Sequence, residues 1–242
     1  MKWLIILMPT NITFIIAVTW CILGFAIYYF LSNNKAFAGR LGRLSRKFDS
    51  QGNQVLVQRT LGLLFLGIFS TLIIVLHPGL PLRDFGLTFT FLAGPPWWSF
   101  LVIPVILVIG INAAKQDGNL ELYPQIRSKN WTPGMIAISG TSWVLFLVGY
   151  EFLFRGFLLH ASLDIMAAGP AIALNSALYA FAHFYKGPGE TFGAIPVGVL
   201  LCYLTIVTGN IWCAVVIHAL MALSNEWFSL YFHPEMEIVK AR

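Results

Sequence analysis

The sequence predicts an all-α fold, a polytopic bundle of membrane helices, and three observations carry that prediction. Hydrophobic residues fill 58% of the 242 positions and charged residues 10%, with mean hydropathy +0.77, which leaves too little polar surface to cover a soluble globule. Apolar runs long enough for helical spans, at ~20 residues each, are separated by short charged or Pro/Gly-marked stretches. None of the runs alternates as a membrane β-strand does, and a lipid-exposed backbone must satisfy its own hydrogen bonds, so the spans are helices.

The first run, 11–31, is preceded by Lys2 as its only basic residue. It exceeds the apolar core of a secretory signal and has no small-residue cleavage site, so it reads as an uncleaved anchor. Trp20 before Cys21 argues against a lipoprotein signal. Further spans are expected at 60–77, 97–114, 134–166, 168–185, 191–207 and 210–232, about seven in all, forming one transmembrane domain over 1–242. At 1.5 Å per residue the 134–166 run would be about 49 Å long against a ~30 Å hydrocarbon core, so this helix should tilt, break near Gly140 or Gly149, or protrude. Cys21, Cys202 and Cys213 all fall in apolar segments, where a thiol behaves as a small hydrophobe; neither a disulfide framework nor a zinc spacing is present.

The one long polar stretch, 32–59, carries Lys35, Arg40, Arg43, Arg46, Lys47 and Arg59 against the single acid Asp49, which makes it a basic cytoplasmic segment by the positive-inside rule. Within it Phe37, Leu41, Leu44 and Phe48 recur at helical spacing, as in a helix lying on the inner leaflet. Gly39 and Gly42 weaken that pattern, and a solvated basic linker is the alternative. Counting spans from this segment puts Lys115, Arg127, Lys129, Lys186, Lys240 and Arg242 on the same side. The turns at 167–170 and 208–210 then fall outside. Trp97, Trp98, Trp227 and Tyr231 are placed as interfacial belt residues. The basic excess therefore faces anionic lipid, and no stacking aromatics interleave it as on a nucleic-acid surface, so the lipid bilayer is an expected partner and nucleic acid is not.

Against this apolar background "GYEFLFRGFLL" places Glu151 and Arg155 at i, i+4 on one helix face. Ions in a span cost several kcal/mol and mark a functional site unless they only pin one helix to its neighbours. His183, in "LYAFAHF", and His218 with Asn225, in "VVIHALMALSNEW", join them. Measured at 1.5 Å per residue from the turn near Ala167, Glu151 lies about 24 Å along its helix and His183 about 22 Å along the next. From Asn210, His218 is about 12 Å deep and Asn225 about 22 Å, so the polar groups are expected at one level in the inner half of the bilayer. A carboxylate and an imidazole can activate a water for attack on a carbonyl, while a second imidazole or an amide donates to the oxyanion. Arg155 would hold the carboxylate ionised. A zinc site from His183, His218 and Glu151 is chemically conceivable, but the HExxH spacing that signals one is absent. Neither a GxSxG motif nor a Cys/His pair competes.

These residues resemble the CPBP family, the CAAX-protease and bacteriocin-processing proteins, also called the type II CAAX prenyl endopeptidase or ABI family. Its pattern is EExxxR with "FRG", then FxxxH, then HxxxN or HxxxD. Here "YEFLFRG", "YAFAH" and "HALMA" stand at those places, and the resemblance covers 143–227, a CPBP-like catalytic core. It implies that Glu151, Arg155, His183 and His218 correspond to the family's second glutamate, arginine and two histidines. It further implies an intramembrane endopeptidase in which glutamate and histidine activate water. The resemblance also implies that the last-helix histidine and amide form the oxyanion hole, and that the substrates are prenylated CAAX proteins, as in eukaryotic members, or peptides and membrane-protein partners, as in bacterial ones. Three positions depart from the pattern: Tyr150 stands at the first glutamate, Tyr179 at the phenylalanine and Ala222 at the last amide. Glu151 would then serve as base, and Asn225, near Ala222 on the same helix face, would supply the amide. The second expectation is a catalytically inactive member acting as an immunity, chaperone or scaffold protein. A transporter or proton relay through the same groups is a third reading, against which no duplicated segments or paired broken helices are seen. No cofactor is expected, and the setting implied is a bacterial cytoplasmic (inner) membrane.

Overall fold

A computed structural model describes residues 9–77 and 80–240; Lys2, before the first apolar run, and Arg242, in the basic tail, lie outside the described residues. The elements in order are α1 (Pro9–Asn33), α2 (Lys35–Leu41), α3 (Ser50–Leu76), α4 (Val102–Ala113), α5 (Asp117–Leu120), β1 (Asn130–Trp131), α6 (Pro133–Leu163), α7 (Ala168–Phe181), α8 (Pro188–Thr208), α9 (Trp212–Phe232) and β2 (Glu237–Ile238). The strands are two residues each and pair in parallel, so the all-α prediction holds. Among the described residues α1, α3, α6, α8 and α9 are long and apolar enough to cross a membrane. The other two expected spans are helical but shorter. α4 with its leading 3₁₀ turn covers Trp97–Ala113, and the 14-residue α7 would be about 21 Å long.

Where boundaries differ from the sequence expectation, a cap or a glycine explains it. α3 starts at Ser50 rather than near 60, because Asp49 Oδ1 accepts the Gly52 N–H at 2.8 Å and caps the helix. Arg59, expected in the basic segment, therefore lies inside α3. The surface stripe expected over 37–48 is cut at Gly42, where φ is 79°. What remains is the seven-residue α2, with Leu41 and Leu44 exposed and Phe48 buried against Trp131 instead. α7 stops at Phe181, and Gly187 (φ 97°) followed by Pro188 opens α8. His183 is thus just beyond the end of α7, not within a span reaching 185. α6 is one unbroken helix of 31 residues; neither Gly140 nor Gly149 breaks it. Gly140 instead lets Trp227 approach, since a Cβ there would sit 3.1 Å from the indole.

The chain divides into two compact units. The first gathers Met1–Ile27, Leu64–Pro95 and Val148–Val215. Its core joins Ala17, Ile74, Phe85, Phe152, Phe157 and Ile211. The 80–95 loop is laced to the α8–α9 turn by Leu92 N–H to Thr208 O (2.8 Å), Trp212 Nε1–H to Thr88 O (2.9 Å) and Asn210 Nδ2–H to Thr90 O (3.1 Å). The second gathers Tyr28–Leu63, Pro96–Leu147 and Val216–Arg242. Its core joins Phe48, Val55, Leu56, Ile126, Trp131, Met135 and Leu230.

Candidate active site

In the first unit, the half of α6 that carries the family motif does not stay α-helical. Phe152–Leu158 forms a π-helical turn, as Leu63–Ile68 does within α3; such wider windings are frequent at functional sites. Glu151 stands at its entrance and Arg155 within it, and neither side chain has any solvent exposure. The pair forms as the i, i+4 spacing predicts: Arg155 Nη1 lies 3.2 Å from Glu151 Oε2 and 3.4 Å from Oε1. The guanidinium also covers the Tyr179 ring at 4.1 Å, a cation–π contact in a dry setting. Arg155 Nε and Nη2 are buried donors with no hydrogen-bond acceptor among the described residues.

His183 belongs to the same unit and is linked to the pair through aromatic rings. Its imidazole lies 4.7 Å from the Tyr179 ring and 6.1 Å from that of Tyr150. His183 Nδ1 lies 2.9 Å from the Tyr179 carbonyl. A carbonyl only accepts, so Nδ1 carries the proton and Nε2 is the basic nitrogen of the neutral ring. Tyr150, at the place of the family's first glutamate, packs edge-on or tilted against Phe154, Tyr179 and His183. An aromatic cluster therefore occupies the position where the pattern has a second carboxylate.

His218 and Asn225 lie on α9 in the second unit, seven residues and about 10.5 Å apart along one helix face. Asn225 is held by Asn119, whose Nδ2–H donates to Asn225 Oδ1 at 3.1 Å and to Ser229 Oγ at 2.8 Å. Because the Asn225 oxygen accepts there, the amide presents its NH₂ as the remaining function.

The same unit holds a buried ion pair that the sequence reading missed. Arg59 Nη2 is 3.2 Å from Glu226 Oε1, with side-chain exposures of 3% and 1%. Arg59 Nη1 donates to Ser139 O, Ser139 Oγ and Ser142 Oγ at 2.9–3.0 Å. Nη2 also reaches Gln125 Oε1 at 3.2 Å, and the guanidinium covers Trp143 at 4.4 Å. Nothing in sequence links positions 59 and 226; only Glu226, an acid in an apolar helix, hinted at a partner. A groove of about 590 Å³ in this unit is lined by Ile136, Ala137, Gly140, Val144, Leu223 and Trp227 among others, and by none of the five candidate residues. Among the described residues no three His, Cys, Asp or Glu side chains gather closely enough to hold a metal ion.

Comparison with known proteins adds one finding. Residues 132–224 match the family model described as "Type II CAAX prenyl endopeptidase Rce1-like". The matched segment contains Glu151, Arg155, His183 and His218 and stops one residue short of Asn225. No curated protein and no solved structure matches the chain. With its apolar helices the chain is an integral membrane protein, and over residues 132–224 it is similar to the type II CAAX prenyl endopeptidase, or CPBP, family.

Proposed function

We propose that the chain is an intramembrane endopeptidase that cleaves a peptide bond with a water activated by Glu151 and His183. The match over residues 132–224 supports the broad activity, a CAAX-protease-like hydrolase acting on a peptide in a membrane setting. The observation that supports the finer reading is one unit holding both a buried, arginine-clamped carboxylate and an imidazole fixed in the tautomer that leaves Nε2 basic. In this reading Glu151 takes the proton of the attacking water and His183 orients that water and relays the proton. Arg155 keeps the carboxylate charged. The resemblance gives the oxyanion role to His218, with Asn225 standing in for the amide that Ala222 lacks. The residues named suffice for hydrolysis without a cofactor. The basic segments are assigned to the inner face of a bacterial cytoplasmic membrane.

The test uses the purified full chain in proteoliposomes, with a farnesylated CAAX peptide and unprenylated membrane-anchored peptides as probes. Wild type should release product, and Glu151→Gln should lower the rate by about 10²–10⁴-fold at unchanged abundance in the membrane. Turnover of the variant at the wild-type rate would remove Glu151 from the chemistry.

A second reading, an inactive member acting as an immunity, chaperone or scaffold protein, is favoured by Tyr150 and its aromatic packing. Tyr150→Glu separates the two. Restoring the family's carboxylate should create activity in an inactive chain, and should leave an active one no faster.

A further inference from the structure

We propose that His160 and Asn175 are positioning residues that hold the π register of α6 and so aim Glu151 and Arg155. A π turn returning to α pairing brings more carbonyls than amide donors to the same stretch. Here the Leu159 N–H is split between the carbonyls of Phe154 and Gly156. Two side chains supply the missing donors. Asn175, fully buried on α7, gives its Nδ2–H to Phe154 O at 2.6 Å. His160, two residues past the π segment, places Nδ1 2.9 Å from both Arg155 O and Gly156 O; facing two carbonyls, Nδ1 must be the protonated nitrogen.

Both groups are themselves fixed. Asn175 Oδ1 accepts from the Cys202 thiol at 3.2 Å, which ties α7 and α8 to the same turn. The His160 ring rests against Phe85 and beside Gly86, where a Cβ would come within 3.2 Å of the imidazole. A fully buried amide and a half-buried imidazole are unfavourable unless hydrogen-bonded. The carbonyls they satisfy belong to three consecutive residues, with Arg155 in the middle. Without these donors α6 relaxes to continuous α pairing, which turns the Glu151 side of the helix relative to the Leu159 side by about one residue, roughly 100°. The separation of Glu151 from Arg155 along the chain is unchanged by this, but the direction of each into the unit is not.

The test is a double-mutant cycle read by thermal unfolding of the full chain in nanodiscs, which needs no substrate. Glu151→Gln and Arg155→Met should be non-additive in Tm in the wild-type background. That non-additivity should disappear in His160→Ala and in Asn175→Leu, and persist in His160→Asn, which keeps a donor near the Nδ1 position. Should His160→Ala fail to accumulate, His160→Phe removes the donor while filling the ring's volume and takes its place. Undiminished coupling in both donor-free backgrounds overturns the proposal, whatever their Tm, because a merely structural role lowers Tm and leaves the coupling intact. A second arm rests on the protease reading: the same variants should lose on the order of 100-fold in kcat with KM unchanged. If wild type cleaves nothing, the protease reading fails on its own and the coupling still decides this one.

Discussion

Arg155 and Arg59 are both buried arginines paired with a glutamate, yet only one of them is legible in sequence. Glu151 and Arg155 stand four residues apart in an apolar run, so helical periodicity alone predicts the 3.2 Å contact. Arg59 and Glu226 meet at the same distance across 167 positions, and Arg59 closes a basic segment in which it looks like one more surface cation. Removing one member of a buried pair strands the other charge, at a cost of about 3–5 kcal/mol. Arg59→Met should therefore destabilise the chain more than Arg46→Gln on the exposed segment, and Arg59→Met with Glu226→Met together should recover much of the loss. Thermal unfolding in detergent checks this; a double variant no better than Arg59→Met would mean that the serine and glutamine contacts, not the ion pair, dominate. Asn119, Asn175 and His160 were invisible for a different reason. Each acts by a hydrogen bond to a group whose position only the fold defines.

At the scale of the element, each apolar run corresponds to a helix, but its ends and winding are not legible, and the short α5 is not expected from sequence. The π turn at Phe152–Leu158 reads in sequence as ordinary helix, since its hydrophobic pattern is continuous. Gly156 is the residue that gives it away. A Cβ there would lie 2.9 Å from the Phe85 carbonyl and 2.5 Å from the Phe152 ring. Gly156→Ala should therefore overpack the turn and cost about 1–3 kcal/mol, seen as a lower Tm, whereas Gly169→Ala, with open space at its Cβ, should leave Tm within a degree or two. Equal losses at the two glycines would show that close packing at the π turn is not what Gly156 provides. α7 ends early because Gly187 and Pro188 redirect the chain. That moves His183 from mid-helix to a helix end, where its Nδ1 reaches back to Tyr179 O.

For the whole molecule, composition predicts a bundle of apolar helices, which the structure has, and the motif order predicts a resemblance that the family match over residues 132–224 supports. The depth argument that brought Glu151, His183, His218 and Asn225 to one layer treated every helix as straight and α-helical. α7 is shorter than assumed, and α6 carries the π turn between Glu151 and the reference turn at Ala167. The proposed function requires that Glu151 and His183 work as one catalytic unit on a water. Its most direct measurement is single-turnover peptide hydrolysis in proteoliposomes by wild type, Glu151→Gln, His183→Ala and the double variant. Groups that act as a unit are strongly non-additive, so each single variant should lose most of the rate and the double variant little more. A double variant whose loss is the product of the two single losses, or a single variant that cleaves at the wild-type rate, would contradict the account.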